Sequence, residues 1–229
     1  MPKLALKDEA GPFDLTVLEA AEPVRVVLFA VGAGGNPERH LPLLTALVEH
    51  GCTVVAPHFE RLVVPAPNND DLLLRARRLS LALNFVARPG LPVAGVGHSI
   101  GAAMLLALVG GQVWMRAGDR LSIALDGRID RLALFTPAMD FFRAPNALDA
   151  VRTPILAWAG TKDAITPPAQ TEFLKHALKA DVPVQVRVVE GAGHFSFMHV
   201  LPPQIADPLP NRDVFLADLS ATVCRYITG

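Results

Sequence analysis

The sequence has 229 residues, of which 51% are hydrophobic, and its formal net charge at neutral pH is −1. A near-neutral chain without a basic run does not fit a nucleic-acid-binding protein, because phosphate binding needs clustered Lys and Arg. No apolar stretch is long enough to span a bilayer, and charged side chains interrupt the first thirty residues, which argues against a signal peptide. We expect a single domain over residues 1–229.

The two cysteines, Cys52 and Cys224, are far apart in the chain. Cys52 follows a glycine that ends a helical pattern, and Cys224 lies in the last predicted helix, so we interpret both as buried, reduced thiols. We expect a cytoplasmic protein without a nucleic-acid or membrane partner, which is either a monomer or a homodimer.

Strand and helix patterns alternate along the chain. Two short strand patterns at the N-terminus, separated by a turn signal, indicate an antiparallel ribbon at one edge of a sheet. The run Val24–Val31 is typical of a strand buried on both faces. The alternation predicts an α/β fold with a mostly parallel sheet between two layers of helices. In chain order the predicted elements are strands at 3–6, 14–19 and 24–31, a helix at 38–50, a strand at 53–56, a helix at 70–87, a strand at 93–96, a helix directly after residue 101, strands at 131–136 and 153–159, a helix at 168–178, a strand at 184–189 and a helix at 212–227.

Three segments between these elements carry no readable pattern. The loop 57–69 contains three prolines and scattered large apolar residues, which is typical of a loop that walls a pocket on an α/β scaffold. The segments 112–130 and 139–146 are the other two. We expect these three segments to shape any pocket above the sheet.

The stretch Leu91–Val109 carries the clearest functional motif. An apolar run leads into Gly97-His98-Ser99-Ile100-Gly101, and an apolar helix pattern follows at once. At such a strand–turn–helix junction a serine is held in a strained backbone conformation that lifts its hydroxyl above the sheet. Glycines two residues before and after it let the strand and the helix approach closely. Ser99 is therefore a candidate nucleophile; the alternative is an ordinary serine in a glycine-rich turn.

A serine nucleophile needs a base, and the base needs an acid that fixes its tautomer. In a parallel sheet both should follow strands, at the same edge as the turn that carries the serine. Asp163 follows the strand at 153–159, and His194 follows the strand at 184–189. Along the chain these three residues come in the order Ser, Asp, His.

Two other residues compete for these roles. Asp140 follows the strand at 131–136 and could serve as the acid from a neighbouring loop. His199 lies close to His194 in the sequence but does not follow a strand directly. Four further histidines, His40, His50, His58 and His176, lack the spacing of metal ligands, so we expect no metal site.

With these motifs in place, the sequence resembles the α/β-hydrolase superfamily over nearly the whole chain. It is similar to small, cap-less members of the dienelactone-hydrolase-like branch, whose acid and histidine loops match G-T-K-D-A-I-T-P at 160–167 and G-A-G-H-F at 191–195. The resemblance implies Ser99 as nucleophile, Asp163 as orienting acid and His194 as general base. Founding members of the branch carry cysteine at the serine position, so acyl hydrolysis is implied and a dienelactone substrate is not. Dehalogenase relatives carry aspartate at the serine position, so Ser99 argues against dehalogenase chemistry.

A tetrahedral oxyanion needs donors fixed in advance, which this fold takes from the N–H after the nucleophile and from the loop after an earlier strand. These would be Ile100 and one of Ala33 or Gly34. The glycine-rich loop does not match a dinucleotide-binding motif, because Pro37 stands where G-x-G-x-x-G needs its last glycine. An ordinary turn is the alternative. No cofactor is expected.

Several apolar side chains fall in loops at the ends of strands. They either line an apolar acyl pocket or belong to the core, and the sequence does not decide between these interpretations. These side chains are Phe141, Phe142, Phe195, Phe197 and Met198. His98 is expected to pack or to form a hydrogen bond beside Ser99.

The sequence as a whole predicts a serine hydrolase that cleaves a small carboxylic ester or thioester through an acyl-enzyme. Two alternatives remain open. One is a non-catalytic binding or regulatory protein on the same fold. The other is a peptidase or acyltransferase that uses the same three residues.

Overall fold

An eight-stranded sheet forms the centre of the computed structural model, which describes residues 3–62, 67–116 and 118–229. The strands are β1 (Lys3–Asp8), β2 (Gly11–Leu18), β3 (Arg25–Ala30), β4 (Cys52–Pro57), β5 (Val93–His98), β6 (Ile129–Phe135), β7 (Ile155–Gly160) and β8 (Val184–Val189). The α-helices within these ranges are α1 (Leu41–Glu49), α2 (Asn69–Val86), α3 (Ile100–Leu108), α4 (Pro168–Ala177) and α5 (Arg212–Thr228).

The strands lie in the order β1-β2-β4-β3-β5-β6-β7-β8. The predicted N-terminal ribbon is confirmed, since β1 pairs antiparallel with β2, and β2 pairs antiparallel with β4. All other pairs, from β4 to β8, are parallel. The carboxyl ends of β3, β5, β6, β7 and β8 therefore meet at one edge of the sheet. The mostly parallel α/β architecture predicted from the sequence is confirmed.

Helices cover both faces of the sheet, as predicted. On one face α2, α3 and α4 bury side chains such as Leu79, Met104 and Leu174. On the other face α1 and α5 bury Leu43 and Leu219. Among the described residues, no inserted helical domain covers the carboxyl edge of the sheet, and no helix has the length and apolarity of a membrane span.

Both cysteines lie in the second of these cores and are free, as the sequence predicted. Burial raises the pKa of Cys52 to about 11, and it does the same for Cys224. Both thiols therefore stay protonated at neutral pH, and they act as small apolar side chains.

The predicted helix over 38–50 is wrong in its first turn. The structure has a 3-10 turn at Pro37–His40, capped by the Asn36 side chain, and α1 begins only at Leu41. Pro42 explains the break, because proline has no N–H and is tolerated only in the first turn of an α-helix. Of the loop 57–69, residues 63–66 lie outside the described part of the chain.

Candidate active site

Ser99 lies at a sharp turn between β5 and α3. Its φ of 57° and ψ of −123° fall in a region that non-glycine residues rarely adopt, at a cost of roughly 1–3 kcal/mol. A Cβ on Gly101 would lie 2.1 Å from the carbonyl oxygen of Ala30, and one on Gly97 would lie 2.8 Å from a Leu105 methyl. Only glycine fits at both positions, so the motif packs β5 against α3 and β3 tightly enough to hold the serine in this conformation.

The structure brings the side chains of Ser99, His194 and Asp163 into one hydrogen-bonded chain. His194 Nε2 lies 3.0 Å from Ser99 Oγ, and His194 Nδ1 lies 2.8 Å from Asp163 Oδ2. All three residues are buried. Because a carboxylate can only accept, Nδ1 donates to Asp163, and Nε2 is then left as the acceptor for the Ser99 hydroxyl. This is the arrangement in which an imidazole can take a proton from a serine.

Thr166 joins this chain and was missed by the sequence analysis. Its Oγ1 lies 2.8 Å from Asp163 Oδ2, 3.0 Å from His194 Nδ1 and 3.1 Å from the Thr136 carbonyl oxygen. The backbone N–H groups of Ile165 and Thr166 both donate to Asp163 Oδ1 at 2.8 Å. Aspartate side chains commonly close a turn by accepting hydrogen bonds from backbone N–H groups a few residues further along the chain. Asp163 in the loop after a strand could therefore have indicated its contact with Thr166.

Burial alone would raise the pKa of Asp163. The hydrogen bonds from His194 and Thr166, together with the charge of a protonated His194, outweigh burial and lower that pKa below its usual value. Asp163 is therefore ionised throughout the neutral range. A permanent carboxylate at this point would stabilise a protonated His194 ring.

Two more histidines lie behind His194, towards the core. His98 Nε2 donates to the carbonyl oxygen of His194 at 3.0 Å, which fixes the backbone at His194. The ring centres of His98 and His194 are 4.9 Å apart, and those of His40 and His98 are 5.5 Å apart. Burial lowers the pKa of His98 to about 3 and that of His40 well below its usual value. Both rings are thus neutral beside the site at neutral pH.

We expect a His40→Leu variant to be less sensitive to acid than the parent protein. His40 is fully buried, and neither ring nitrogen has a hydrogen-bond partner among the described residues. Because its folded-state pKa is depressed, the unfolded chain gains the proton first as pH falls below about 6.5, and stability is lost from there downward. Removing the ring should flatten this dependence by at most about 1.4 kcal/mol per pH unit, the slope for one full proton. Urea unfolding of both proteins at several pH values between about 6 and 4 measures the slopes; equal slopes would contradict the expectation.

The two competing residues lie in other surroundings. Asp140 is exposed and pairs with Arg143 at 3.3 Å, so the structure brings Asp163 and not Asp140 to His194. His199 is half-buried, and its backbone N–H donates to the carbonyl oxygen of Arg39 at 2.9 Å.

The glycine-rich loop after β3 lies directly beside the serine. A Cβ on Gly32 would be 3.4 Å from Ser99 Cβ and 3.1 Å from His98 Nδ1. Ile100 is the first residue of α3, so its N–H has no acceptor within the helix. Among the described residues, the N–H groups of Ala33 and Gly34 donate to no backbone or side-chain acceptor. Backbone N–H groups without an acceptor therefore occur in the residue after Ser99 and in the loop packed beside it.

A cavity of about 200 Å³ adjoins His194. Of the side chains predicted to line a pocket, Phe195 contributes to its wall. Phe142 does not, because it is only 1% exposed and packs into the core against Gly111. Phe141 is half-buried against the same core, and Met198 is 6% exposed. The wall also includes Lys162, Ile165, Ile205 and Pro208, which the sequence analysis did not select.

No family model and no curated protein sequence matches the chain. Solved structures do match it. An alpha-beta serine hydrolase homologue from Coxiella burnetii superposes with a TM-score of 0.70 at 17% identity, over 99% of this chain and 97% of that one. A CIB-like hydrolase from Thermoplasma acidophilum gives 0.67 at 14% identity, over 98% of both chains. An esterase from Thermogutta terrifontis gives 0.66 at 15% identity, over 98% of this chain and 92% of that one. The chain therefore has the α/β-hydrolase fold.

Proposed function

We propose that this protein is a serine hydrolase that cleaves a small carboxylic ester or thioester through an acyl-enzyme. The observation that carries the proposal is the chain of two short contacts from Ser99 Oγ through the His194 ring to Asp163. It is supported by the strained turn that presents Ser99 and by the backbone donors beside it. Ser99 is the nucleophile, His194 the general base and Asp163 the group that orients the base.

The reaction proceeds in two halves. Ser99 Oγ attacks the carbonyl carbon while its proton passes to His194 Nε2, and the carbonyl oxygen becomes an oxyanion held by backbone N–H groups. The intermediate collapses, the bond to the leaving oxygen or sulfur breaks, and His194 returns the proton to that atom. Water then attacks acyl-Ser99, again through His194, and the carboxylic acid leaves with the Ser99 hydroxyl restored.

A cavity that adjoins His194, and whose described lining does not include Ser99, supports a small substrate. Its volume, about 200 Å³, is below the range of about 300–1,000 Å³ that holds drug-sized ligands. Its wall carries apolar groups from Ile165, Phe195 and Ile205, and two charged side chains, Lys162 and Asp207. The Thermogutta terrifontis esterase, which has the same fold, was solved with propionate bound. We therefore place the substrate among esters with a short acyl chain, on a dienelactone-hydrolase-like scaffold whose nucleophile is serine.

A fluorophosphonate probe is expected to label the parent protein and not the Ser99→Ala variant. The probe reacts only with a serine whose proton a base can remove. The contacts from Ser99 through His194 to Asp163 also predict Ser99-dependent turnover of aryl esters. The relevant measurements are mass spectrometry of the labelled peptide and rates for an acyl-chain series, which we expect to peak at short chains. A folded parent protein that is neither labelled nor active on any ester would support a binding protein on this fold instead.

A further inference from the structure

Arg75 on α2 is an unusual residue, because its side chain is almost completely buried at 2% exposure. Its guanidinium donates from Nη1 to the carbonyl oxygens of Val31 at 3.3 Å and Gly32 at 3.2 Å. Nη2 donates to the Glu60 carbonyl oxygen at 3.1 Å, and the group stacks on the Phe59 ring at 4.5 Å. The guanidinium thus links α2 to the loop that passes Ser99.

The charge of Arg75 is directed at carbonyl groups. Within the described ranges no carboxylate lies at ion-pairing distance from it. Burial lowers the pKa of Arg75 to about 10, with a partly opposing effect from Asp71, so the group remains protonated at neutral pH. Hydrogen bonds from a charged donor in such surroundings are stronger than those between neutral groups.

The Gly32 carbonyl oxygen, which accepts from Arg75, belongs to the same peptide unit as the N–H of Ala33, a candidate oxyanion donor. In a trans peptide the C=O and the following N–H point in opposite directions. Because the Gly32 carbonyl faces Arg75, the N–H of Ala33 faces away from α2. Gly32 itself lies against Ser99, where a Cβ would be 3.4 Å from Ser99 Cβ. Gly34 is exposed, and the carbonyl of its own peptide unit, that of Ala33, accepts from Leu62 at 2.9 Å.

We propose that the Ala33 N–H is the second oxyanion donor and that Arg75 is the positioning residue that holds it. The inference rests on the proposed function, since an oxyanion hole matters only if Ser99 attacks a carbonyl. Arg75 fixes the plane of the Gly32–Ala33 peptide. It also withdraws electron density through the Gly32 carbonyl, which makes the N–H at the other end a stronger donor to a developing negative charge.

Other contacts keep the loop in place when Arg75 is removed. Gly35 N–H donates to the Gly32 carbonyl at 3.1 Å, and Phe59 N–H donates to the Gly35 carbonyl at 2.9 Å. A variant without the guanidinium should therefore retain the fold of the loop and lose the exact orientation and polarisation of one peptide. The expected defect lies in the transition state and not in substrate binding.

An Arg75→Met variant tests this. We expect kcat on a short-chain aryl ester to fall roughly 10- to 100-fold, while KM changes by less than about threefold. The affinity for a trifluoromethyl ketone, which forms a tetrahedral oxyanion on Ser99, should fall by the same factor as kcat. Arg78→Met is the matched control, because Arg78 lies on the same helix and is also buried, but binds Asp8 and the Phe13 ring instead. It should keep the parent kcat.

An Arg75→Lys variant should give an intermediate kcat, because it keeps a charge that reaches fewer carbonyl oxygens. If urea unfolding shows that the Met variant does not fold, the Lys variant tests the proposal in its place. The inference is overturned if the folded Met variant, or in its absence the Lys variant, has the parent kcat. It is also overturned if Arg75→Met and Arg78→Met lower kcat equally, which would reflect stability alone. A parent protein without Ser99-dependent turnover refutes the proposed function itself, and this inference with it.

Discussion

A His194→Ala variant is expected to lose about 10⁶-fold in kcat on an aryl ester, with little change in KM. The reason is that in the proposed mechanism His194 Nε2, which lies 3.0 Å from Ser99 Oγ, accepts the proton that the serine loses when it attacks. Without it the hydroxyl is a poor nucleophile, and only the catalysis supplied by the oxyanion donors and by binding is left. Steady-state kinetics on protein quantified by absorbance gives the ratio of kcat between the parent protein and the variant. The Ser99→Ala variant is measured in parallel.

His199→Ala is the control for this prediction. The residue is close to His194 in sequence, is half-buried, and has a ring that plays no part in the contacts of Ser99. Its removal should leave turnover close to that of the parent protein. If His194→Ala retained near-parental rates, or if His199→Ala showed the larger loss, the assignment of the base would be wrong. Urea unfolding of both variants separates lost chemistry from lost stability.

The arrangement of the candidate site could be expected from the sequence because parallel topology reduces the problem to strand ends. Ser99, Asp163 and His194 each follow a strand, and parallel strands place their carboxyl ends at one edge. The structure places the His194 ring within hydrogen-bonding distance of both Ser99 and Asp163. The fold class followed from the same alternation of strand and helix patterns.

Features that depend on packing between distant segments could not be expected in this way. In the sequence, Arg75 is one of several charged residues on a predicted amphipathic helix. Only the folded chain shows that its side chain points inward to the loop after β3. Phe142 and Phe195 both follow strands, yet one is core and the other lines the cavity beside His194. Pattern cannot separate them, because burial of an aromatic ring depends on what the rest of the chain places over it.

An Asp163→Asn variant is expected to lose about 10⁴-fold in kcat while keeping the structure of its loop. An asparagine can still accept from Ile165 and Thr166 N–H through its amide oxygen, as Asp163 Oδ1 does at 2.8 Å. Its NH₂ group would then face His194 Nδ1 and donate to it. That contact favours the tautomer with the proton on Nε2, which faces Ser99 with a donor where an acceptor is needed. The imidazolium would also lose its carboxylate partner.

Two further measurements make the Asp163→Asn prediction specific. One is the pH dependence of the free energy of unfolding, and the other is the kcat of an Asp140→Asn variant. Because the folded-state pKa of Asp163 is lowered, its carboxylate contributes stability above its unfolded pKa of about 3.9, and this is lost as pH falls below that value. The Asn variant should lack this part of the acid sensitivity in urea unfolding, in addition to its lower kcat. Asp140→Asn, which removes an exposed carboxylate paired with Arg143, should leave kcat unchanged. If Asp140→Asn lowered kcat and Asp163→Asn did not, the acid would belong to the loop after β6, and His194 would have to change its orientation to reach it.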